Sequence, residues 1–448
     1  MRQFYKPINK MLTQGLAPLP AVPSEGMFLS TCSNFKPMTG GLQGLQKYVR
    51  TFTQDAGKLF ITTQGIFLFT STNVYSYDGV NVTSVLAGIT GGTDWFVADF
   101  SKYMVFTNGT KTIVYDGAAW AINNNAIIPQ ANCICNAQGR AILGGFAGAL
   151  NKVAWSEIGA MKFLLEADPS TLYKNTAGFR FMDWPGEVLC IYELGGGRAA
   201  VLGSGGVSCL VPASVEPYAY GTLGLREVSA VGLGSRRGAV KMATGIYFVN
   251  LNNELCFIKA NDISLQVLGY SDYLDSTTCK LSYDSTLNEL YIAQPGITYI
   301  LTAKGLGVVS AELQVAYSNT LKKLIVQSNG VITQTDAEFT SDVLTFEQEG
   351  FKTVEDIHIN GDNFTTTYGC VEYKGDHSKS FVISPWKQFN SFGYCHIGIT
   401  AGEFKIKVKL ANYTTPIIKD VKVGVKFTDR RFIKGIVLND NKVTTGTD

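Results

Sequence analysis

A short signature occurs twice in succession and constrains the fold more than any other feature of the chain. Phe69-Thr70 leads through Val74-Tyr75 to Tyr77-Asp78-Gly79, and Phe106-Thr107 leads through Ile113-Val114 to Tyr115-Asp116-Gly117. Each copy predicts a strand, a polar turn, a second strand and an Asp-Gly turn. The two aspartates are 38 positions apart, which is close to the length of one β-propeller blade. The spacing therefore predicts a propeller, a scaffold for binding or assembly.

Residues 58–335 alternate short apolar runs with Gly or Asn turns, which is typical of strands that are covered on both faces. Six blade-sized units are predicted, at residues 58–88, 95–123, 133–165, 181–215, 228–269 and 279–315. Residues 322–335 are predicted to close the ring by pairing with an early strand, because closure removes exposed sheet edges. We therefore expect an all-β chain with a propeller of about six blades.

The flanking regions predict three further parts. Residues 1–57 contain prolines and glycines that prevent long regular elements, and we expect an extended N-terminal arm. Strands such as residues 404–410 alternate apolar residues with lysines, which predicts a β-sandwich-like domain over residues 336–435. Residues 436–448 are polar, and we expect a loose tail there.

Composition narrows the class of protein. The 448 residues are 46% hydrophobic and 17% charged, which indicates a globular chain. The formal charge of +2 gives no case for strong nucleic-acid binding. The sequence predicts neither a secretory signal nor an apolar run that could span a bilayer. Nine scattered cysteines predict reduced, mostly buried thiols, which is consistent with synthesis in a cytoplasm.

Metal and phosphate motifs are incomplete. Cys133 and Cys135 have the spacing of half a metal site, but one face of a strand gives the same spacing. The histidines (His358, His377 and His396) form no triad, so we interpret them as surface or packing residues. The glycines at 195–197 and 203–206 lack the Lys-Ser/Thr of a Walker loop. Two hairpin turns flanking residues 199–202 explain them better, and we expect no cofactor and no metal.

A local run of basic residues is the candidate channel or partner contact. It comprises Arg226, Arg236, Arg237 and Lys241, near the fifth predicted blade. These side chains either face DNA or an acidic partner, or are ordinary loop charges. Arg430 and Arg431 are open to the same two interpretations.

Three segments occur in an order that resembles a known family. They are Cys32-Ser33-Asn34-Phe35-Lys36-Pro37 with Gly40-Gly41-Leu42-Gln43-Gly44, then Lys152-Val153-Ala154-Trp155-Ser156-Glu157-Ile158-Gly159, then Gly245-Ile246-Tyr247-Phe248-Val249 ahead of Asn252-Asn253-Glu254-Leu255. This order resembles bacteriophage head-to-tail nozzle proteins, the tail-hub or packaged-DNA stabilisation proteins of short-tailed phages. The order of strands and turns resembles the family over residues 25–435, but the amino acids themselves are similar only in these segments. No functional residue of the family is carried over.

The resemblance implies a structural virion protein and not an enzyme. Such a protein is synthesised in the host cytoplasm and joins the phage tail as a homo-oligomeric ring, commonly a hexamer, below the portal and adaptor rings. It extends the DNA channel, retains the packaged genome and docks a tail needle, spike or fibre. Double-stranded DNA passes through it transiently, and no membrane is involved. A near-neutral chain suits a conduit, because tight contact between Lys or Arg and phosphate would oppose ejection.

Two other functions stay open. A receptor- or glycan-binding propeller adhesin of a phage tail would need exposed aromatics, for which Tyr218, Tyr220, Tyr270 and Tyr273 are candidates. A polysaccharide-degrading enzyme would need two carboxylates across a cleft. Propeller sialidases carry Ser-X-Asp-X-Gly-X-Thr-Trp boxes, of which Asp94-Trp95 and Asp183-Trp184 are the nearest fragments here.

Overall fold

The chain folds into two compact units. The computed structural model describes residues 3–18, 27–45, 47–54, 56–123, 128–164, 177–212, 223–332, 336–346, 350–361, 366–375, 378–411 and 417–427. The propeller unit comprises Val49–Gly296 and Ala311–Ile332, and the two-sheet unit comprises Met1–Tyr48, Ile297–Ser310 and Thr333–Asp448. The helix found within the described residues has five residues, and no described helix could cross a membrane.

Strands dominate both units, and they are numbered here along the chain. The first elements are β1 (Phe4–Pro7), α1 (Lys10–Gln14), β2 (Leu29–Ser33), β3 (Phe35–Met38) and β4 (Gly41–Gly44). The next strands are β5 (Lys58–Thr62), β6 (Gly65–Phe69), β7 (Asn73–Tyr77), β8 (Val82–Ala87), β9 (Phe96–Asp99), β10 (Met104–Thr107), β11 (Thr112–Tyr115), β12 (Trp120–Asn123), β13 (Ala131–Ala137), β14 (Arg140–Phe146), β15 (Ala149–Trp155), β16 (Gly178–Phe181), β17 (Val188–Gly195), β18 (Arg198–Gly203), β19 (Val207–Pro212), β20 (Leu223–Ser229), β21 (Ala239–Met242), β22 (Gly245–Val249), β23 (Leu255–Lys259), β24 (Leu265–Gly269), β25 (Lys280–Asp284) and β26 (Glu289–Gln294).

The remaining strands begin after residue 296. They are β27 (Ile297–Leu301), β28 (Leu306–Val309), β29 (Leu313–Ser318), β30 (Lys323–Ser328), β31 (Ala337–Ser341), β32 (Lys352–Gly361), β33 (Thr367–Lys374), β34 (Val382–Ile383), β35 (Lys387–Gln388), β36 (Tyr394–Ala401), β37 (Glu403–Leu410) and β38 (Ile417–Phe427).

The propeller unit is a ring of radial sheets. Five antiparallel sheets of four strands follow one another along the chain: β5–β8, β9–β12, β13–β16, β17–β20 and β21–β24. The hairpins β25–β26 and β29–β30 continue the series, and their first strands meet in parallel at Tyr283 and Ala316. The first strand of every sheet lines one common cavity. Inner strands around one axis with antiparallel sheets radiating from them define a propeller, so this prediction is confirmed.

Within the described residues seven inner strands line the cavity, five beginning a four-stranded sheet and two beginning the hairpins β25–β26 and β29–β30, whereas about six blades were predicted. Residues 279–315, predicted as the sixth unit, contain the four consecutive strands β25–β28, and the seventh inner strand, β29, begins at the end of this segment. Residues 297–310 belong to the two-sheet unit and interrupt the ring in sequence. A local pattern cannot reveal such an interruption, because both units use strands of similar length and composition.

Residues near the start of the propeller unit close the ring. The Thr51 amide donates to the Val326 carbonyl at 2.8 Å, and the Val326 amide donates to Thr51 Oγ1 at 3.2 Å. The Arg50 guanidinium donates to the Gly330 carbonyl at 2.9 Å and to the Thr53 carbonyl at 2.7 Å. Residues 322–335 were predicted to pair with an early strand; they contact the start of the propeller unit, but through Arg50 and Thr51, which lie in no strand, and among the described strands β30 pairs only with β29.

The two copies of the sequence signature lie in adjacent blades and touch each other. Phe69 and Phe106, which begin the two copies, stack with ring centroids 4.4 Å apart. Asp78 Oδ1 accepts the amides two and three residues later at 2.8 and 2.7 Å, and Asp116 Oδ1 does the same at 2.9 and 2.8 Å. The signature therefore combines an Asp-capped turn at the rim with an aromatic contact between blades.

The two-sheet unit confirms the predicted sandwich-like domain. One sheet has the strand order β27-β28-β3-β4-β38-β32-β36 with β1 on β38, and the other has the order β2-β31-β37-β33-β34 with β35 on β33. In β37 the buried residues alternate with partly exposed ones, as its lysine pattern predicts. Phe35 on the first sheet packs edge-on against Phe339 on the second at 5.7 Å.

The expected N-terminal arm and the boundary near residue 336 are corrected. The described residues before position 46 supply strands of the two-sheet unit, with Phe4 opposite Val425 and Leu29 opposite Ser341. Short segments with Pro and Gly do not predict their strand partners, because the pairing is made with residues hundreds of positions away. The predicted polar tail lies outside the described residues.

The aromatic contact between the first two blades predicts a large effect on stability. Phe106 is fully buried and contacts Phe60, Phe67 and Phe69. We expect Phe106→Ala to lower the free energy of unfolding by about 3–5 kcal/mol, since it leaves a cavity between packed rings. Urea unfolding followed by tryptophan fluorescence measures this change. Phe392→Ala, at a residue that is 78% exposed, is the control and should cost less than about 0.5 kcal/mol. Similar losses in the two variants would contradict the prediction.

Candidate functional site

The axial cavity of the propeller unit is the first candidate site. Its volume is about 530 Å³. It is lined by residues 58–61, 96, 97, 99, 134–136, 191–193, 237, 239–241, 281–283 and 314–316. Each of the seven inner strands contributes two or more of these residues, because the strands run side by side around one axis. The wall combines aromatic and aliphatic side chains with a few charged ones, a composition typical of small-molecule sites.

Charges contributed by the ends of the inner strands are compensated within the protein. Asp99 accepts a hydrogen bond from the Thr63 amide at 2.8 Å and another from the Thr63 hydroxyl at 2.8 Å. The Lys241 ammonium forms an ion pair with Glu193. Lys241 and Glu193 therefore offset each other's charge, whereas the donors to Asp99 are neutral groups that occupy its carboxylate oxygens.

Arg237 holds the starts of two inner strands together. Its Nη2 donates to the Gly57 carbonyl at 2.9 Å, just before β5, and to the Gln314 side-chain oxygen on β29. Gln314 in turn donates to the Gly57 carbonyl at 3.0 Å. Arg237 is 7% exposed, and burial lowers the pKa of its guanidinium. The ion is retained because it satisfies backbone and side-chain acceptors from distant parts of the chain.

Lys58 is the charged group of the cavity that has the weakest compensation. Its ammonium lies 3.9 Å from the centroid of the Phe96 ring and 5.6 Å from that of Phe60. It forms no ion pair or hydrogen bond with the described residues. Burial lowers the pKa of Lys58 to about 7, with a further decrease from the charge of Arg237 and a partial opposing effect of Asp94. The side chain is enclosed by the protein, yet it keeps part of its surface accessible inside the cavity.

The four predicted basic residues separate into two groups. Arg237 and Lys241 line the axial cavity. Arg236 donates to the Asn108 carbonyl at 3.1 Å and lies 3.7 Å from Glu187. Arg226 is exposed on β20 and donates to the Asp262 carbonyl at 3.2 Å. These four side chains therefore have intramolecular partners, and the structure brings only Arg237 and Lys241 together in one cavity. Arg430 and Arg431 lie outside the described residues.

The other motifs have structural explanations. Gly195, Gly196 and Gly197 form the turn between β17 and β18 at φ angles of 87°, 63° and 74°, as the hairpin interpretation predicts. Cys133 and Cys135 lie on one buried strand, and burial raises the pKa of both thiols. Within the described ranges, no group of three His, Cys, Asp or Glu residues is arranged to hold a metal.

Histidine and tryptophan candidates also have intramolecular contacts. His358 stacks on Tyr394 with ring centroids 4.2 Å apart, whereas His377 lies outside the described residues. The buried indoles of Trp95 and Trp184 donate to the Gly92 carbonyl and to the Ser208 hydroxyl at 3.1 and 3.0 Å. The two Asp-Trp fragments therefore place their tryptophans in the packing of the propeller.

A second candidate site is an exposed apolar segment of the two-sheet unit, residues 382–394. It presents Val382, Ile383, Trp386, Phe392 and Tyr394 with exposed fractions of 50%, 55%, 38%, 78% and 39%. Strands β34 and β35, which lie in this segment, have two residues each and pair only with β33 among the described strands. Large apolar side chains concentrated in a short exposed segment are typical of protein-contact surfaces.

The tyrosines proposed for an adhesin do not form such a surface. Tyr270 is 7% exposed, Tyr273 is partly buried, and Tyr218 and Tyr220 lie outside the described residues. The exposed apolar segment was missed in the sequence because Val-Ile, Trp and Phe are also ordinary core residues. Lys58 was missed as well, although a lysine that begins an otherwise apolar inner strand was a usable signal.

The search of solved structures found matches of low similarity. PorZ of Porphyromonas gingivalis, a surface component of the type-IX secretion system, is 11% identical with a TM-score of 0.39, covering 68% of this chain. This chain spans 43% of the PorZ chain. BamB of Moraxella catarrhalis is 13% identical with a TM-score of 0.39, over 63% of this chain and 94% of BamB. YCF48, solved with a D1 peptide, is 10% identical with a TM-score of 0.36, over 81% and 95% of the two chains.

No protein-family model matches the sequence, and no curated protein matches it. The radial sheets and their common cavity define the class: the chain is a β-propeller protein with an additional two-sheet unit.

The enclosed lysine predicts a pH-dependent stability. Because the pKa of Lys58 is depressed in the folded protein, the unfolded chain binds more protons between about pH 7 and pH 10.4, so stability rises with pH there. The destabilisation is fully present below about pH 7. We expect Lys58→Met to melt at a higher temperature than the wild type at about pH 6, with the difference shrinking toward pH 10.

Thermal unfolding in buffers without sulfate or phosphate tests this expectation. Lys259→Met, at an exposed lysine of β23, is the control and should leave the pH profile unchanged. A Lys58→Met variant that is less stable than the wild type at pH 6 would contradict the prediction.

Proposed function

We propose that this chain is a structural virion protein that assembles into a ring of a phage tail. In this proposal the ring extends the DNA channel, retains the packaged genome and docks a needle, spike or fibre. The proposal is supported by the ordered resemblance of three sequence segments to nozzle proteins. A propeller joined to a second β-rich unit is also the architecture that this resemblance implies.

The observation that carries the proposal is the exposed apolar segment at residues 382–394. Phe392 alone leaves 78% of its surface exposed, and Ile383 leaves 55%. Burying such side chains against a neighbour stabilises a contact by about 25 cal/mol per Å² of apolar surface before the costs of association. A ring needs a heterologous contact that repeats until it closes, and one exposed apolar segment per subunit can supply one side of it.

The electrostatics are compatible with DNA passage. The formal charge is +2, and the ion pair between Lys241 and Glu193 compensates one of the candidate channel charges. Arg236 lies 3.7 Å from Glu187, which compensates a second one. Weak phosphate contact lets DNA move, since every tight contact would have to be broken during ejection.

An adhesin function is the less favoured alternative. It would need exposed aromatic side chains on the propeller, and Tyr270 is buried. Catalysis is not part of the proposal, because the charged groups at Asp99, Glu193 and Lys241 are engaged in contacts with the protein itself. Saturable binding of the purified chain to host cells would favour the adhesin instead.

The first test is the stoichiometry of the chain in particles. Quantitative mass spectrometry of purified, DNA-filled phage particles from the source lysate should find this chain at a fixed, ring-like ratio, about half the copy number of the portal protein. A major capsid protein measured in the same digest calibrates the count. Absence of the chain from infectious particles would contradict the proposal.

The second test is the apolar segment itself. We expect the double variant Ile383→Ser and Phe392→Ser to fold with an unchanged melting temperature but to be incorporated into particles at least about tenfold less, since the apolar contact surface is lost. The matched control is Val80→Ser with Val331→Ser, at residues of the propeller unit that are 85% and 82% exposed. Equal incorporation of the two double variants would show that residues 382–394 are not the contact.

A further inference from the structure

The axial cavity contains a cationic group that the described residues leave without a counter-ion. The ammonium of Lys58 has an aromatic neighbour, Phe96, at 3.9 Å, and no carboxylate of the described residues forms an ion pair with it. A cation–π contact offsets only part of the cost of removing an ammonium from water. Proteins usually pair such a group or let it bind a ligand.

The other charged groups near Lys58 do not provide this compensation. Arg237 adds a second positive charge, and Asp94 opposes it only at longer range. The nearby thiols of Cys133 and Cys190 are neutral, because burial raises the pKa of Cys190 to about 12 and that of Cys133 well above its ordinary value. Asp94 and Glu312 act electrostatically on Arg237, and the carboxylates of Asp99 and Glu193 line the same cavity. Among the described residues, however, none of these carboxylates forms an ion pair with Lys58.

The size and walls of the cavity fit a small molecule. Its volume of about 530 Å³ lies within the range of ligand pockets, roughly 300–1,000 Å³. Aromatic side chains of Phe60, Phe96 and Tyr192 line it, and the Tyr192 hydroxyl is occupied by a hydrogen bond to the Ala239 carbonyl at 2.8 Å. Arg237 uses Nη2 for its contacts with Gly57 and Gln314, which leaves its other donors without a hydrogen bond to the described residues. The carboxylates of the wall, Asp99 and Glu193, are engaged with Thr63 and Lys241, whereas Lys58 and part of the Arg237 guanidinium keep donors for a ligand.

We propose that the axial cavity binds a small molecule that carries an oxyanion, a carboxylate or phosphate group, which contacts Lys58 and Arg237. The oxyanion supplies the missing counter-charge, and the aromatic wall contacts the rest of the ligand. This inference is independent of ring assembly, because it concerns residues of the propeller unit and not the segment 382–394.

Calorimetric titration of the full chain with inorganic sulfate tests the proposal, since sulfate keeps its charge between pH 6 and pH 9. Chloride replaces sulfate in the reference to hold the ionic strength constant. We expect saturable binding of one sulfate per chain at pH 6, weaker binding at pH 9, and a loss of about tenfold or more in Lys58→Met. Lys58→Gln should lose the same amount, which separates charge from shape.

The matched control is the double variant Lys241→Met with Glu193→Gln, because the two residues line the same cavity as an ion pair and removing both leaves no uncompensated charge. It should bind sulfate within about twofold of the wild type. Competition with acetate and with inorganic phosphate then distinguishes a carboxylate ligand from a phosphate ligand. The proposal is overturned if sulfate does not saturate, if Lys58→Met binds as the wild type does, or if the affinity is the same at both pH values.

Discussion

Closure of the propeller ring, on which the blades and the axial cavity depend, joins residues that are far apart in sequence. Thr51 and Val326, 275 positions apart, pair through backbone and side-chain hydrogen bonds. Closing a loop of that length costs conformational entropy, but the cost grows only with the logarithm of the length. Arg50 adds several hydrogen bonds to backbone carbonyls at the same place. On the inner strands, Arg237 and Gln314 add a second link, since both donate to the Gly57 carbonyl just before β5.

The blades are held together by two kinds of packing. Between the first two blades, Phe60, Phe67, Phe69 and Phe106 pack against each other with Trp95. A larger core, which runs from the second to the fifth blade, is mainly aliphatic and contains aromatic residues and cysteines in smaller numbers. This difference explains why only the first two units have recognisably similar sequences: a pair of large rings needs a matching ring on the next blade, whereas aliphatic side chains can fill the same space in many combinations.

Burial of charge has different consequences at the two cations of the cavity. Arg237 donates to Gly57 and Gln314 and so contributes to the alignment of the inner strands. The ammonium of Lys58 has only an aromatic partner among the described residues, and burial lowers its pKa because removal from water disfavours the charged form. Ionisable groups with strongly shifted pKa values are concentrated at functional sites, and Lys58 is therefore the residue that points to a ligand in this cavity. In the two-sheet unit, the exposed segment at residues 382–394 is also unfavourable for the isolated chain, because its large apolar side chains are in contact with water.

The sequence by itself determined the local features of this protein. The signature repeat, the apolar runs and the alternating lysines of β37 predicted a propeller and a sandwich-like domain, because strand periodicity and Asp-Gly turns are set by neighbouring residues. Only the tertiary structure decided the seventh inner strand, the strand partners of the N-terminal residues and the different surroundings of Lys58, Arg237 and Lys241. Those features depend on contacts between distant positions, such as Gly57 with Arg237 and Gln314, and a local pattern contains no information on which distant strand a residue will meet.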